Sequence, residues 1–128
     1  MRHTKYNNVF GLGDVVSAPS SKTAAAVFSQ APVVQDHIWK AMNGKKSDAE
    51  YNGYASCPAY TGDGKLMLME FKYGGVPDMT FLPNQQKPNS FFFYFKRDMF
   101  PRIYWWLMPK GIWYGKRMCF PPRYGEAK

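Results

Sequence analysis

The chain of 128 residues is long enough for one compact domain and carries a net charge of +8, from 17 basic and 9 acidic residues. This charge predicts attraction to polyanions or to anionic lipid surfaces and does not choose between them. Two cysteines and two histidines exclude a disulfide-built scaffold and a zinc site of Cys and His ligands, so no metal site is predicted. The longest wholly apolar or aromatic run, residues 103–108, is far shorter than the ~20 residues of a membrane-spanning helix.

A glycine turn lies near the start of the chain. Residues 8–10 are predicted to form a short buried strand, followed by a turn with two glycines that presents Asp14 at the strand's end. Taken alone, this motif is a common turn. Hydroxyl residues followed by three alanines over residues 20–26 predict a helix that begins near Thr23. The amides and dipole of such a helix start suit an electron-rich group, so the turn and the helix together indicate a cofactor site.

The predicted helix has one apolar stripe. Its positions recur at spacings of three or four residues and are Val27, Ala31, Val34, Ile38 and Met42. The pattern ends at Asn43-Gly44, which predicts the end of the helix. Pro32 lies inside the pattern, where a proline removes one backbone hydrogen bond at a cost of ~3 kcal/mol, and it therefore predicts a kink.

Two strands are predicted at residues 51–59 and 65–73, joined by a glycine-rich turn at 61–64. Alternation along the second strand divides its side chains between two faces: Met67, Met69, Phe71 and Tyr73 on one, and Leu66, Leu68, Glu70 and Lys72 on the other. We expect this strand to start buried and to emerge toward solvent near Glu70. Pro58 in the first strand implies an edge position or a bulge, and residues 74–88 are predicted to be a loop.

The segment 91–124 is rich in aromatic rings. It contains 13 aromatic residues, seven Lys or Arg and one acid, and Pro101, Pro109 and Gly111 predict that it forms short, separate helices. A packed core, a nucleic-acid surface and a membrane anchor all agree with this composition. Bulky rings such as Trp105 and Trp106 suit a bilayer interface better than a base-stacking platform. The composition therefore favours a membrane surface over nucleic acid as the partner.

Three segments resemble a known family. Residues 8–14, with Ser-Lys-Thr-Ala-Ala-Ala-Val at 21–27, are similar to the second flavin-contacting segment of two-dinucleotide-domain flavoprotein reductases, especially sulfide:quinone oxidoreductases. Residues 51–58, Tyr-Asn-Gly-Tyr-Ala-Ser-Cys-Pro, look like the segment around a redox-active cysteine of that family. Residues 96–113 look like its membrane-facing C-terminal helices. The resemblance spans essentially the whole chain and is to the C-terminal part of the mitochondrial type.

The resemblance implies an FAD site. In the family, the aspartate of the glycine turn contacts the ribityl chain, and the helix start meets the edge of the isoalloxazine. These roles fall on Gly11, Asp14, Lys22, Thr23 and Ala24. Lys22 and the helix-start amides would stabilise negative charge on a reduced flavin. The sequence contains no Gly-x-Gly-x-x-Gly after a strand, so we expect it to need an N-terminal FAD-binding portion or a full-length partner.

Cys57 has two interpretations. Taken alone, an isolated cysteine is most often a small buried residue. By resemblance, Cys57 is a catalytic cysteine that forms a disulfide or sulfur bridge with an upstream cysteine. Sulfide attacks that bridge, one sulfur leaves as a persulfide, and the released thiolate passes two electrons to the flavin. No cysteine precedes Cys57 in this sequence, and Cys119 does not fall where the family pattern places a partner, so Cys119 is assigned no role.

The resemblance also implies a quinone pocket beside the aromatic segment, where ubiquinone reaches the flavin from the lipid side. The candidate lining residues are Phe92, Tyr94, Phe95 and Tyr104. The implied location is the surface of the mitochondrial inner membrane, although the first residues of this sequence show no targeting segment.

We therefore predict an α/β fold in three parts: a partial FAD-binding segment (1–50), a hairpin and loop carrying the redox cysteine (51–88), and an amphipathic aromatic tail facing a membrane (89–128). The intact enzyme would oxidise sulfide and pass electrons through FAD to ubiquinone, with a sulfur acceptor as second substrate. This chain alone is expected to be inactive. The alternative is a non-catalytic module derived from such a reductase that binds a membrane or nucleic acid.

Overall fold

A computed structural model describes residues 1–81 and 84–127 and confirms the α/β fold class. A long helix α1 (Ala24–Met42) is followed by an antiparallel hairpin of β1 (Ala55–Gly62) and β2 (Lys65–Phe71). The aromatic segment then forms helix α2 (Ser90–Tyr94), a π-helical turn (Phe95–Met99) and helix α3 (Phe100–Leu107). Short 3₁₀ turns lie at Gly13–Val15, Tyr73–Gly75 and Gly115–Arg117.

The predicted strand at residues 8–10 is reduced to one bridge. Phe10 pairs with Arg2, and Val9 is 44% exposed rather than buried. A strand needs a continuous partner, and among the described residues the only contact of ladder type here is this single bridge.

Helix α1 begins and ends where the sequence predicts. The Thr23 hydroxyl caps the helix by accepting a hydrogen bond from the Ala26 amide at 3.2 Å, and Asn43 is the C-terminal cap. The helix continues through Pro32 as one element.

The buried face of α1 differs from the predicted stripe. Of the five predicted positions, only Val34 is buried, whereas Ile38 is 39% and Met42 82% exposed. The buried residues are Ala26, Gln30, Val33, Val34 and Lys40. Gln30 and Lys40 are tolerated inside because both have polar partners: the Gln30 side-chain carbonyl accepts from the Gly13 amide at 2.7 Å, and the Lys40 ammonium pairs with Asp36 at 3.0 Å. Because Gln30 and Lys40 lie on the buried face, the spacing of apolar residues alone did not predict which face of α1 is buried.

The hairpin is confirmed, with β1 shifted toward the turn relative to the prediction. β1 starts at Ala55 rather than residue 51, and Pro58 lies opposite Leu68 in this two-stranded sheet, where both strands are edges. A bulge separates Tyr60 and Gly62. Asp63 and Gly64 both have positive φ, as a two-residue hairpin loop requires.

Glu70 corrects the expectation that β2 emerges toward solvent there. Its side chain is buried, and its two oxygens accept hydrogen bonds from the Tyr54 hydroxyl, from the amide and hydroxyl of Thr80, and from the Gln85 amide group. The Gln85 side chain, fully buried, also donates to the Leu68 carbonyl at 3.0 Å. This polar network therefore holds Thr80 and Gln85 against the hairpin.

The aromatic segment is one continuous helical run rather than separate helices. Pro101 does not interrupt it, because a π-helical turn precedes the proline and the Phe100 amide reaches the Phe95 carbonyl. The run ends at Leu107, ahead of Pro109, as predicted. Phe92 packs on Leu66 and Leu68 of β2, which fixes the run against the hairpin. Within residues 1–81 and 84–127, no helix combines the length and hydropathy that a bilayer crossing requires.

Residues near the end of the described chain are hydrogen-bonded to α1 and to the residues that follow it. The Gly125 carbonyl accepts hydrogen bonds from the Lys40 ammonium and the Asp48 amide, and the Ala127 amide donates to Lys46. Residues 108–127 contain no strand. They connect the aromatic helix to the end of α1, where the hydrogen bonds of Gly125 and Ala127 hold them.

Candidate functional site

A cavity of about 680 Å³ lies where α1, the hairpin, the aromatic helix and the C-terminal segment meet. Its walls are mostly apolar, and each element contributes a few side chains, among them Thr23, Ala24, Cys57, Phe95, Phe100, Ile103, Trp113 and Cys119. A pocket of this size and character is suited to a largely apolar ligand.

The N-terminus of α1 forms one wall. Thr23, Ala24 and Ala25 line the cavity, so the positive end of the helix dipole lies at its surface. Thr23 and Ala24 were predicted to contact a flavin, and the structure places both on the cavity.

The other predicted flavin residues lie beside the cavity rather than on it. Asp14 is exposed in the 3₁₀ turn, whose conformation is held by the Gln30 hydrogen bond to Gly13. Gly11 packs so closely that a Cβ there would lie 2.8 Å from Val16. The Lys22 ammonium donates to the carbonyls of Val16 (2.6 Å) and Ala18 (3.1 Å), which closes the loop between the turn and the helix.

Cys57 reaches the cavity from β1. It is an exposed free thiol, not the buried residue that an isolated cysteine usually becomes, and it pairs with Met69 across the hairpin. Next to it, the Pro58 carbonyl accepts a hydrogen bond of 3.0 Å from the Lys96 ammonium, which also lies 4.2 Å from the centre of the Tyr60 ring. Lys96 therefore brings a positive charge to the cavity wall beside Cys57.

A buried polar pair forms the floor. Tyr54 and Glu70 line the cavity, and the Tyr54 hydroxyl donates to the Glu70 carboxylate. Burial, and then the adjacent carboxylate, raise the pKa of Tyr54 well above its usual range, so this hydroxyl stays protonated. Sequence reasoning missed this pair, because the end of β2 that carries Glu70 was expected to emerge toward solvent.

Lys116 on the cavity wall is held by an ion-pair cluster. Asp78 Oδ1 lies 2.6 Å from the Lys116 ammonium and 3.1 Å from that of Lys72. Burial raises the pKa of Asp78, but the hydrogen bonds and charges of the two lysines outweigh it and leave the pKa below its usual value. Among the described residues, no group of three His, Cys, Asp or Glu side chains is arranged to hold a metal ion.

The four predicted quinone-lining residues do not lie together in the structure. Phe95 lines the cavity, whereas Phe92 is buried in the core behind it, and Tyr94 and Tyr104 are about half exposed on the outer surface. The aromatic and aliphatic wall is formed instead by Phe95 with Phe100, Ile103, Met108 and Trp113. Cys119, which was assigned no role from the sequence, also lines the cavity.

Comparisons with known proteins show which family this chain resembles. The chain is 44% identical over 127 residues to the mitochondrial sulfide:quinone oxidoreductase of Schizosaccharomyces pombe, covering 94% of this chain and 28% of that protein. Identities to the Dictyostelium discoideum and Mus musculus proteins of the same name are 43% and 40%, over 95% and 90% of this chain and 27% and 26% of theirs. No protein-family model matches.

A solved structure is also similar. A chain of the Tetrahymena thermophila mitochondrial ATP synthase, in a cryo-EM composite tetramer, superposes with a TM-score of 0.72 at 28% identity, over 80% of this chain and 25% of that one.

The first three matches make the chain a relative of oxidoreductases. Specifically, it corresponds over nearly its whole length to the C-terminal segment of mitochondrial sulfide:quinone oxidoreductases, which confirms the resemblance found from the sequence. The chain spans about a quarter of the length of the curated relatives it matches.

Proposed function

We propose that this chain acts as the C-terminal segment of a flavoprotein that oxidises sulfide and passes two electrons through FAD to ubiquinone. The observation that supports this most is the shared cavity, which is lined by Cys57, by the N-terminus of α1 and by the aromatic helix. Such a reaction needs a thiol, a helix start that contacts the flavin and a surface that quinone can reach, all in one place. In our proposal, Cys57, the N-terminus of α1 and the aromatic helix have these three roles.

The residues fit one side of an FAD site. Gly11 and Asp14 provide the turn, Lys22 closes the loop behind it, and Thr23 and Ala24 bring the positive end of α1 to the cavity. The helix end favours negative charge on a bound electron-rich ring. FAD, when bound, would supply a two-electron acceptor beside Cys57.

Cys57 carries the proposed sulfur chemistry. Hydrosulfide attacks a disulfide that contains Cys57, the S–S bond breaks, one cysteine keeps the incoming sulfur as a persulfide, and the other leaves as a thiolate. The Lys96 ammonium and the N-terminus of α1 lie on the same cavity as Cys57 and bring positive charge to it. The persulfide sulfur then passes to an acceptor nucleophile.

The outer surface of the aromatic helix is the proposed membrane contact. Phe91, Tyr94, Tyr104, Trp105 and Trp106 are between 48% and 69% exposed, and we call them the aromatic face. Such rings insert at a bilayer interface, where neighbouring cations meet anionic headgroups. This arrangement would place the cavity beside the lipid, at the mitochondrial inner membrane, with Phe95 and Tyr104 on the path of a quinone.

A second candidate function is a non-catalytic subunit of a membrane assembly. The observation in its favour is the similarity to a chain of the Tetrahymena ATP synthase, which shares this fold over 80% of our chain. In that role the aromatic face and the net charge of +8 would serve attachment, and Cys57 would carry no chemistry.

A chimera tests the two functions against each other. The matching C-terminal segment of the Schizosaccharomyces pombe relative is replaced with this chain, and flavin content and sulfide-dependent ubiquinone reduction are measured. The catalytic proposal predicts a chimera that retains flavin and turns over at a rate within about tenfold of the parent enzyme. A folded chimera that holds flavin but does not oxidise sulfide would favour the non-catalytic candidate.

A further inference from the structure

Helix α1 has a second apolar side, which the described chain leaves uncovered. It consists of six positions at alternating spacings of four and three residues, and we call them the outer face of α1: Ala24, Phe28, Ala31, Gln35, Ile38 and Met42. Ile38 is 39% and Met42 82% exposed, and the other four are exposed or half-buried. At about 100° per residue, this face lies opposite the buried side of the helix. Helix α1 is therefore apolar on two opposite sides.

The spacing of the outer face predicts a helix as its partner. Alternation of four and three residues is the pattern of helices that pack along one another. The small Ala31 lies between the larger Phe28 and Ile38, which allows a second helix to approach closely. A helix that is apolar on opposite sides is typical of an element buried between two layers. The described residues provide the inner layer, because α1 packs on β1 and on the turn at Gly115–Arg117.

The charges of α1 favour a protein partner over a lipid surface. Asp36 is its one acidic residue and Lys40 its one Lys or Arg, and the two pair with each other at 3.0 Å. The outer face carries no charge, although the chain has a net charge of +8. A helix that lies on a lipid surface has Lys or Arg beside its apolar side, whereas the centre of a protein interface is depleted of charge and enriched in aromatic rings. Trp39, next to the outer face, is such a ring and is 60% exposed.

The relatives indicate which protein covers this face. The three oxidoreductases match this chain over the C-terminal 26–28% of their own length, so about three quarters of each lies outside the match. The outer face is also continuous with the cavity, because its first residue, Ala24, lines the cavity beside Thr23. A partner that completes the cavity at this end of α1 can therefore extend along the outer face.

We propose that the outer face of α1 is the docking surface for the FAD-binding portion of such an oxidoreductase, with a helix of that portion packed along it. The inference rests on the proposed function, because this partner would bring the flavin to the cavity. It adds the surface by which the partner is held, and it assigns α1 an interior position between two layers of the assembled enzyme.

Thiol labelling tests the docking surface directly. Ile38→Cys is made in this chain and in the chimera with the Schizosaccharomyces pombe relative, and alkylation of the new thiol by a maleimide is followed by peptide mass spectrometry. The thiol should react at least about 100-fold more slowly in the chimera than in the isolated chain, because the interface must open first. In the matched control Ala41→Cys, at an exposed position of α1 off the outer face, the two rates should agree within about threefold.

The unmodified relative gives a second measurement. Cysteines are placed in the Schizosaccharomyces pombe protein at the positions aligned with Ile38 and Ala41, and the first should be protected while the second reacts. Equal reactivity of the two positions in the chimera and in the relative overturns the proposal. Protection of Ile38→Cys in the isolated chain, either at raised protein concentration or on phosphatidylcholine–phosphatidylglycerol vesicles, also overturns it, because the partner is then a second copy or a lipid surface.

Sulfide oxidation by the same chimera separates this inference from the proposed function. If Ile38→Cys is protected in a chimera that holds flavin but does not oxidise sulfide, the docking surface stands and the proposed function fails. If Ile38→Cys reacts in an active chimera as fast as in the isolated chain, the docking surface is wrong and the proposed function stands.

Discussion

The buried carboxylate of Glu70 connects the cavity to the loop after β2. It accepts hydrogen bonds from the Tyr54 hydroxyl, from Thr80 and from Gln85, and it is only 5% exposed. The four donors come from the residues before β1 and from the loop after β2. One side chain thus joins the floor of the cavity to the loop that carries the Asp78 ion pairs.

Replacing Glu70 with Ala should destabilise the chain. The substitution leaves the Tyr54 hydroxyl and the Gln85 amide buried without their acceptor, and hydrogen bonds to charged groups are worth about 1.5–3 kcal/mol each. We expect the free energy of unfolding, measured by urea denaturation followed by circular dichroism, to fall by about 3 kcal/mol. The control Glu50→Ala, at an exposed position, should change it by less than about 0.5 kcal/mol. Equal effects would mean that the network is not holding the fold.

Asp14 is the residue on which flavin retention can be tested. In the chimera with the Schizosaccharomyces pombe relative, Asp14→Ala would remove the charge-assisted hydrogen bond that we propose between Asp14 and the ribityl chain, and such a bond is worth about 1.5–3 kcal/mol. Flavin affinity, measured by fluorescence titration of the apoprotein, should weaken roughly 10-fold or more, while Glu50→Ala leaves it unchanged. An unaltered affinity in Asp14→Ala would remove Asp14 from the site.

At the scale of elements, the aromatic helix presents two different sides. Phe92 is buried against β2 and Phe95 faces the cavity, whereas Trp105 and Trp106 are 69% and 64% exposed. The π-helical turn before Pro101 allows one continuous run to present both sides. The exposed side is the part of the chain that can be tested for membrane contact without any other protein.

The double substitution Trp105→Ser/Trp106→Ser should weaken vesicle binding. Buried apolar surface contributes ~25 cal/mol per Å² and is insensitive to salt, whereas each exposed cation contributes about 1 kcal/mol that salt screens. We expect wild-type binding to phosphatidylcholine–phosphatidylglycerol vesicles, with a blue shift of Trp fluorescence, to survive high salt substantially. The double variant should bind at least about 100-fold more weakly.

Trp39→Ser provides the control for this prediction, because Trp39 is 60% exposed on α1, away from the aromatic face. It should leave vesicle binding unchanged. Single-stranded RNA should bind weakly and be released over the same range of salt. Tight RNA binding with no fluorescence shift on vesicles would contradict the membrane assignment.

The ion pairs of Asp78 join the loop after β2 to the C-terminal segment, and they predict a pH dependence. The pKa of Asp78 is lower in the folded chain than in the unfolded chain, where it is about 4. The ion pairs of Asp78 therefore contribute fully to stability above the unfolded pKa, and this contribution is lost as the pH falls through the folded pKa. The free energy of unfolding should therefore decrease below about pH 5. Asp78→Asn should show a smaller decrease over the same range, and identical pH profiles would contradict the assignment.

Local signals in the sequence predicted much of this arrangement. The Thr23 cap, the end of α1 at Asn43 and the hairpin turn at Asp63-Gly64 each depend on residues that are adjacent in the chain. The buried face of α1 and the burial of Glu70 could not be predicted, because their partners are distant: Gly13 for Gln30, Gly125 for Lys40, and Gln85 for Glu70. The place of Cys119 on the cavity depends in the same way on contacts of the segment around it with α1.

At the scale of the whole molecule, the cavity is where Cys57, the start of α1 and the aromatic wall meet. It collects residues from the start of α1, from β1, from the aromatic helix and from the C-terminal segment. The chain that builds it spans about a quarter of the length of its oxidoreductase relatives. We therefore centre our proposal on Cys57, which on this cavity would reduce a flavin with electrons from sulfide.

Single-turnover reduction of the flavin in the chimera tests that claim most directly. Sulfide is mixed with the oxidised chimera in the absence of oxygen and quinone, and the loss of visible flavin absorbance is followed. The account predicts that Cys57→Ser retains its flavin but is reduced at least about 100-fold more slowly, because the thiolate nucleophile is gone, while the control Ala41→Ser on the exposed side of α1 reacts like the unmodified chimera. Equal rates of flavin reduction in Cys57→Ser and the unmodified chimera would contradict it.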